Sequence, residues 1–277
     1  MRAPPVSRPS VIAPIKFPRL ATGLTLPQNA AAMGRIINES SLPRLPEPAT
    51  RDDLLRLLIE GDNPVILDIG ANEGQSATAF LKLFPAAAVH AFEPSPETFK
   101  TLCENLSGNS NVTLNQLAVG ESAGQASFYQ TSVNQMDSLL SLAEDGLYAQ
   151  KNITTTGTVE VDVSTLDAYA QANNLEKIDF CKIDTQGCSG KVLKGARGLL
   201  EAGTIGILQV EILFSRYYES QETFGVIESL LLPHGYRFHT LLDTDTHRVG
   251  RSYLNPRTGE TQHVDAIYIH RDYVSFE

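Results

Sequence analysis

The chain has 277 residues, 42% of them hydrophobic, and a formal net charge of −10. That length supports one good-sized core with a small appendage. The acidic balance argues against a nucleic-acid grip, which needs basic surface against phosphates. No run of about 18 apolar residues occurs, so no membrane-spanning segment is expected.

The charge is unevenly spread. Residues 1–50 hold nine of the 15 prolines, six Lys/Arg and only two Asp/Glu. They read as a Pro-rich N-terminal extension with at most one short helix near Asn29–Asn38. The opening MRAPPVSRPSVIAPIKFPRL breaks every apolar run with Pro, Arg or Lys, which is not the pattern of an export signal. Residues 51–277 read as the folded domain. Three cysteines without paired spacing (Cys103, Cys181, Cys188) suggest core thiols in a reducing, cytoplasmic setting.

The domain opens with Thr50 before RDDLLRLLIE, whose apolar spacing is helical. Thr50 and Asp53 resemble a capping box with Asp in place of Glu. VILDIG (65–70) then reads as a strand and Gln75–Phe84 as a helix ended by Pro85. AVHAFEP (88–94) is a strand. Pro96–Leu106 is a helix opened by Ser95 with Pro at its first position. NVTLNQLAVG (111–120) is a strand running into a turn. GQASFYQ (124–130) and GTVEVDVSTL (157–166) form a strand pair around a long polar loop, 131–156. Leu166–Asn174 is helical, KIDFCKIDTQG (177–187) a strand, Lys191–Ala202 a helix, IGILQVEIL (205–213) a strand and Glu222–Leu232 a helix. YRFHTLL (236–242) and HVDAIYIH (263–270) close the sequence as strands.

Short apolar strands alternating with helices predict an α/β fold, a mostly parallel sheet covered on both faces. Ligands of such sheets bind past the carboxyl ends of the strands. Attention therefore falls on Asp68, Glu93, Ala118, Asp184 and Glu211. Gly70 and Gly74 flank a turn that lets the backbone approach a ligand. Glu93, 19 residues beyond Gly74, ends the second strand, where a carboxylate can accept ribose hydroxyls. The turn is G-A-N-E-G rather than G-x-G-x-x-G, so the close approach to a pyrophosphate is missing. Asp68 would repel a pyrophosphate but attract an ammonium or sulfonium by roughly a few kcal/mol at an effective dielectric near 20. Both details disfavour a nicotinamide-dependent dehydrogenase and favour S-adenosylmethionine.

The runs VILDIGANEGQSA, VHAFEPSPETFKTLCENL, NVTLNQLAVG, STLDAY, IDFCKIDTQGCSGKVLKGARGLL and ILQVEI, in that order over about residues 60–240, resemble the FkbM family of S-adenosylmethionine-dependent methyltransferases. The resemblance implies a class I methyltransferase, Rossmann-like fold: a seven-stranded, mostly parallel sheet with the last strand antiparallel. It implies O-methylation of a hydroxyl, commonly on a sugar or natural-product small molecule. By that resemblance Asp68, Gly70, Asn72 and Gly74, with Ala71, line the methionine end of the cofactor. Glu93 holds the ribose, with Pro94 beside it, and Ala118 lies near the adenine. Asp184 faces the reaction centre, and Lys182 lies on the same face of its strand.

An alcohol needs a base as its proton leaves, and Asp184 and Glu211 are the candidates. Lys182 is read as a carboxylate's buried partner or a catalytic group. Family members often carry acidic residues where Gln186 and Ser189 stand here. Gln neither takes a proton nor holds a divalent ion well, so the need for a metal is left open. These two positions also motivate the alternative, a catalytically weak S-adenosylmethionine-binding protein of the same fold. Tyr217 and Tyr218 are candidate walls of an acceptor pocket. Met136–Leu140 is the expected site of acceptor recognition. Asp243, Asp245 and His247 are read as a polar loop in preference to a metal site.

Overall fold

The computed structural model describes residues 49–250, 253–254 and 261–273. The N-terminal segment read as an extension, with its expected helix at 29–38, falls outside these residues.

Helix α1 (Arg51–Leu58) starts on the expected capping box. Asp53 N–H donates to Thr50 Oγ1 at 3.2 Å, and Thr50 N–H donates back to Asp53 Oδ2 at 3.1 Å. The parallel core of the sheet is β1 (Val65–Ile69), β2 (Ala88–Phe92), β3 (Val112–Asn115), β7 (Ile178–Ile183) and β8 (Ile205–Leu213). Helices α2 (Gln75–Leu83) and α3 (Pro96–Leu106) connect the first three. Two closing strands follow, β9 (Tyr236–Leu242) and β11 (Thr261–His270). β11 runs antiparallel to both β8 and β9, and lies between them. The two-residue β10 (Tyr253–Leu254) adds an eighth strand beside β11, giving the order β10-β11-β8-β7-β1-β2-β3 with β9 also on β11. This is the seven-stranded, mostly parallel sheet expected, with a short addition at its edge. None of the described helices is long and apolar enough to cross a membrane.

The stretch 111–120 is not one strand. After β3 the chain leaves the main sheet, and β4 (Ala118–Val119) joins β5 (Gly124–Thr131) and β6 (Thr155–Ser164) in a separate three-stranded sheet. The helix expected over 191–202 is also broken, into α6 (Ser189–Lys194) and α7 (Arg197–Glu201). The break falls where Gly195 presses on the β4 turn. A Cβ there would lie 2.0 Å from the Gly120 carbonyl oxygen. The Gly195 carbonyl accepts from Asp167 N–H at 3.0 Å, at the start of α5 (Leu166–Ala172).

Alternation along the strands separates two cores. Leu67, Ile69, Cys181, Ile183, Leu208 and Val210 face one way. Ile66, Phe180, Ile207 and Ile267 face the other, toward α1, α2 and Phe80. On this second face the apolar row Ile66-Phe180-Ile207 gives way, one step toward the carboxyl ends, to Asp68-Lys182-Gln209, which are aligned across three strands. The next step brings Gly70, Asp184 and Glu211 to the strand ends. Polar groups are thus collected at one end of an otherwise apolar face. They sit between β1 and β7, where strand order reverses and ligands of parallel sheets bind.

Candidate active site

A cavity of about 550 Å³ opens at this switch point, within the range of small-molecule sites. Its floor is the first turn. Gly70 has φ +80, and a Cβ there would stand 1.8 Å from the Asp184 carbonyl oxygen. Only glycine lets the β1 and β7 ends meet so closely. Ala71, Asn72, Gln75 and Ser76 continue the wall into the first turn of α2, Glu93 and Pro94 follow β2, and Ala118 lies opposite. Two of the residues expected on the cofactor are not on the wall. Gly74 (φ +94) is the N-cap of α2 and faces α3, so its left-handed backbone demands glycine, and a Cβ there would also press on Leu102 Cδ1 at 2.9 Å. Asp68 is fully buried beneath the wall.

Glu93 is held between the loops. Its Oε2 accepts from Asn72 N–H at 3.0 Å and its Oε1 from Ser95 N–H at 2.9 Å. Burial outweighs both bonds and lifts its pKa to about 7. A carboxylate has about four acceptor sites, so two remain for ribose hydroxyls. Beyond it the wall turns apolar, with Phe92, Leu117, Ala118, Val119, Phe128 and Leu139 around a slot suited to a flat ring.

At the other end lies a charge cluster. Lys182, buried, stands 3.2 Å from Asp184 Oδ2 and 3.4 Å from Asp68 Oδ1. Burial opposes its charge, but Asp184 and then Asp68 outweigh that cost and raise its pKa. Asp184 takes the shorter contact. Although burial favours its neutral form, Lys182 and Gln186 hold it below the ordinary aspartate range. Asp68, with neither oxygen hydrogen-bonded, is raised by burial. Glu211 is raised well above the usual range by burial and then by the charge of Asp184. Asp265, its cross-strand partner on β11, is raised to about 7 by burial and then by Asp184.

Gln186 joins this cluster to the aromatic layer behind it. Its Nε2 donates to Asp184 Oδ1 at 3.0 Å and to Glu211 Oε1 and Oε2 at 3.0 and 3.1 Å. Its Oε1 accepts from the hydroxyls of Tyr218 at 3.0 Å and Tyr148 at 3.4 Å. The reverse amide orientation would set a carbonyl oxygen against two carboxylates. The backbone reaches this position with φ +51 at Gln186. Ser189, at the second altered position, donates from its hydroxyl to the Glu211 carbonyl at 3.3 Å.

Tyr217 and Tyr218 do not wall the cavity. Both are buried in an apolar cluster with Leu140, Tyr148 and Leu213, which pins the segment 131–156 against the end of β8. Of the expected recognition stretch, Asp137 and Leu139 reach the wall, whereas Leu140 and Met136 turn into that cluster. In the loop after β9, Asp243 accepts from Thr246 N–H at 2.7 Å and Asp245 N–H at 3.1 Å, forming a turn. Asp245 and His247 line the cavity. Arg51 Nη1 approaches His247 Nε2 at 3.4 Å, and burial, then Arg51, lowers the His247 pKa to about 4, so the ring is neutral.

The sequence reading missed Phe128, Thr185, Thr244 and Asp265 as wall residues. Asp265 carried a signal, being a lone acid within the apolar run of HVDAIYIH. The others had none.

A glycine floor at the switch point, a buried glutamate ending β2, an apolar slot beside it and an acid pair facing both fit S-adenosylmethionine, and the fold is that of class I methyltransferases. The sequence profile of the methyltransferase FkbM domain matches residues 68–238, more than half of the chain. The chain belongs to that family and is a methyltransferase. It is 27% identical over 180 residues to the 2-O-methyltransferase NoeI of Sinorhizobium fredii, covering 63% of this chain and 73% of that one. It is 28% identical over 162 residues to the hexuronic acid methyltransferase AglP of Haloferax volcanii, covering 57% and 61%. It is 31% identical over 148 residues to Methyltransferase 1 of Beauveria bassiana, covering 48% and 59%. The chain thus spans about 60% of the length of the latter two. An rRNA methylase from Streptococcus thermophilus superposes with a TM-score of 0.42 at 15% identity, over 79% of this chain and 93% of that one. That likeness says nothing about substrate.

Proposed function

We propose that residues 51–277 methylate a hydroxyl of a sugar or other hydroxylated small molecule in the cytoplasm. The observation that carries this reading is the placement of Asp184. It ends β7 over the glycine floor, with its side chain 35% exposed to the cavity. Relatives named for 2-O-methylation and for a hexuronic acid support a sugar hydroxyl.

S-adenosylmethionine, when bound, supplies a methyl group already activated as a sulfonium. The chain's work is therefore alignment and proton removal. Glu93 would hold the ribose, the slot around Ala118 the adenine, and the Gly70–Asn72 turn the methionine end. Asp184, ionised and open to the cavity, would accept the acceptor's hydroxyl proton as the O–CH₃ bond forms. Lys182 fixes the Asp184 carboxylate and compensates its charge. Glu211 is favoured in its protonated form and adds no second negative charge at the same point. The space between Asp184 and Glu211 is taken by the Gln186 amide nitrogen, where a divalent ion would need a carboxylate. No group of three or more acids, histidines or cysteines among the described residues is placed to hold a metal. On the placement of the Gln186 amide between Asp184 and Glu211 we read the reaction as metal-independent.

Calorimetry with S-adenosylmethionine and S-adenosylhomocysteine tests the reading. Micromolar binding of both, unchanged by EDTA, is expected. Binding of neither would overturn it. With an acceptor in hand, Asp184→Asn should keep cofactor binding and cut turnover by about 10²–10⁴-fold. A fully active variant would move the base elsewhere.

A further inference from the structure

The charge of the cavity restricts what can enter it. Six acidic side chains face it, Glu93, Asp137, Asp184, Glu211, Asp245 and Asp265, of which Glu211 is favoured in its protonated form. Among the described residues its single fixed cation is Lys182, already engaged by Asp68 and Asp184. His247 lies on the wall as a neutral ring. A second cavity of about 640 Å³ adjoins the first and shares Asn134 and Asp137 with it. It is lined by hydroxyl and amide side chains with Glu73, Glu97 and Asp137, and no Lys, Arg or His is on its described wall. Two threonine hydroxyls on the first wall, those of Thr185 and Thr244, are buried and without a hydrogen-bond partner.

We infer that the acceptor is an uncharged or amine-bearing polyhydroxylated molecule, and that uronates, phosphate esters and nucleic acids are excluded. The hydroxyl and amide side chains of the second cavity can donate to or accept from an acceptor's own hydroxyls. A neutral polyol satisfies them without new charge. An anion would shed its water beside these acids with no free cation among the described wall residues to replace it. An ammonium would gain from the same field. The one anionic group of the cofactor would be held at the first-turn amides of α2 beside Gln75 and Ser76, which line the cavity. The expected preference is opposite in sign to that of an enzyme built for a hexuronic acid. The inference rests on the methyltransferase reading.

The test uses the full chain saturated with S-adenosylhomocysteine, and saturation-transfer NMR with three matched probes. These are methyl glucopyranoside, its 2-amino analogue and its uronate. The neutral and amino probes should bind, and the uronate at least tenfold more weakly. A 20-nucleotide RNA should show no retention at low salt. Asp245→Lys, an exposed wall position, should raise uronate binding at least fivefold. Equal or preferred uronate binding, no binding of any probe, tight RNA binding, or a uronate signal unmoved by Asp245→Lys would each overturn the inference. Failure of S-adenosylhomocysteine itself to bind would instead overturn the methyltransferase site.

Discussion

Glu93 has two tasks that one carboxylate can perform together. It ties the turn after β1 to the start of α3 through two backbone N–H groups, and it has lone pairs left for a ribose. Glu93→Ala should weaken S-adenosylmethionine binding by about 1–3 kcal/mol, roughly 5–150-fold. It should also lower the thermal midpoint, because two buried amides lose their acceptor. Unchanged affinity in calorimetry would remove Glu93 from the cofactor site. Gln186 makes a sharper case. Gln186→Glu places a third carboxylate against Asp184 and Glu211. The variant should be less stable than the parent by about 1–3 kcal/mol at pH 8 and recover at pH 5, where the extra acid keeps its proton. Added Mn²⁺ should raise the variant's thermal midpoint and leave the parent's unchanged. Equal melting curves for the two proteins at both pH values would refute the role given to this amide.

At the scale of elements, local chemistry and tertiary crowding decide different features. The Thr50–Asp53 box fixes the start of α1 from four consecutive residues. The break between α6 and α7 has no such local cause, since KVLKGARGLL has helical apolar spacing throughout. It arises because Gly195 packs on the Gly120 carbonyl, contributed by a turn 75 residues earlier. Gly195→Ala should therefore destabilise by about 1–3 kcal/mol through overpacking, although alanine is the better helix former. A variant as stable as the parent in urea unfolding would show that this contact yields freely. The same reasoning accounts for β4. Once Leu117 and Ala118 are needed beside the cavity, the chain after β3 must leave the main sheet.

For the whole molecule, the buried acids make stability depend on pH in an unusual direction. Glu93 and Asp265 have folded pKa values near 7, above their ordinary ranges, and Glu211 is likewise raised well above its ordinary range by burial. In the unfolded chain these groups are already ionised above pH 6. The folded protein therefore binds more protons, and its stability falls as pH rises. Asp184, lowered, is ionised in both states in this window and contributes nothing. His247, lowered to about 4, acts in the opposite sense but only below its unfolded value of 6.5. The thermal midpoint of the ligand-free protein should accordingly fall by a few degrees from pH 6.5 to 8, and Asp265→Asn should flatten that fall. A midpoint rising over this range would contradict the charge assignments.

The sequence alone determined the strand-helix alternation, the first turn with its glycines, the glutamate ending β2 and the acid ending β7. Each is written within about ten residues, as apolar period, cap or turn chemistry. It also indicated the strand pair of β5 and β6, because both runs alternate. Only the tertiary structure decided that Asp68 lies under the wall, that Gly74 faces α3, and that Tyr218 and Tyr148 support Gln186 from behind. It alone joined Asp184, Gln186, Glu211 and Asp265 into one cluster. Those residues come from a crossover strand, its following turn, the next parallel strand and an antiparallel neighbour paired Asp265 to Glu211. Strand register, set by burial of the two apolar faces over the whole sheet, brings them together. No local pattern encodes it.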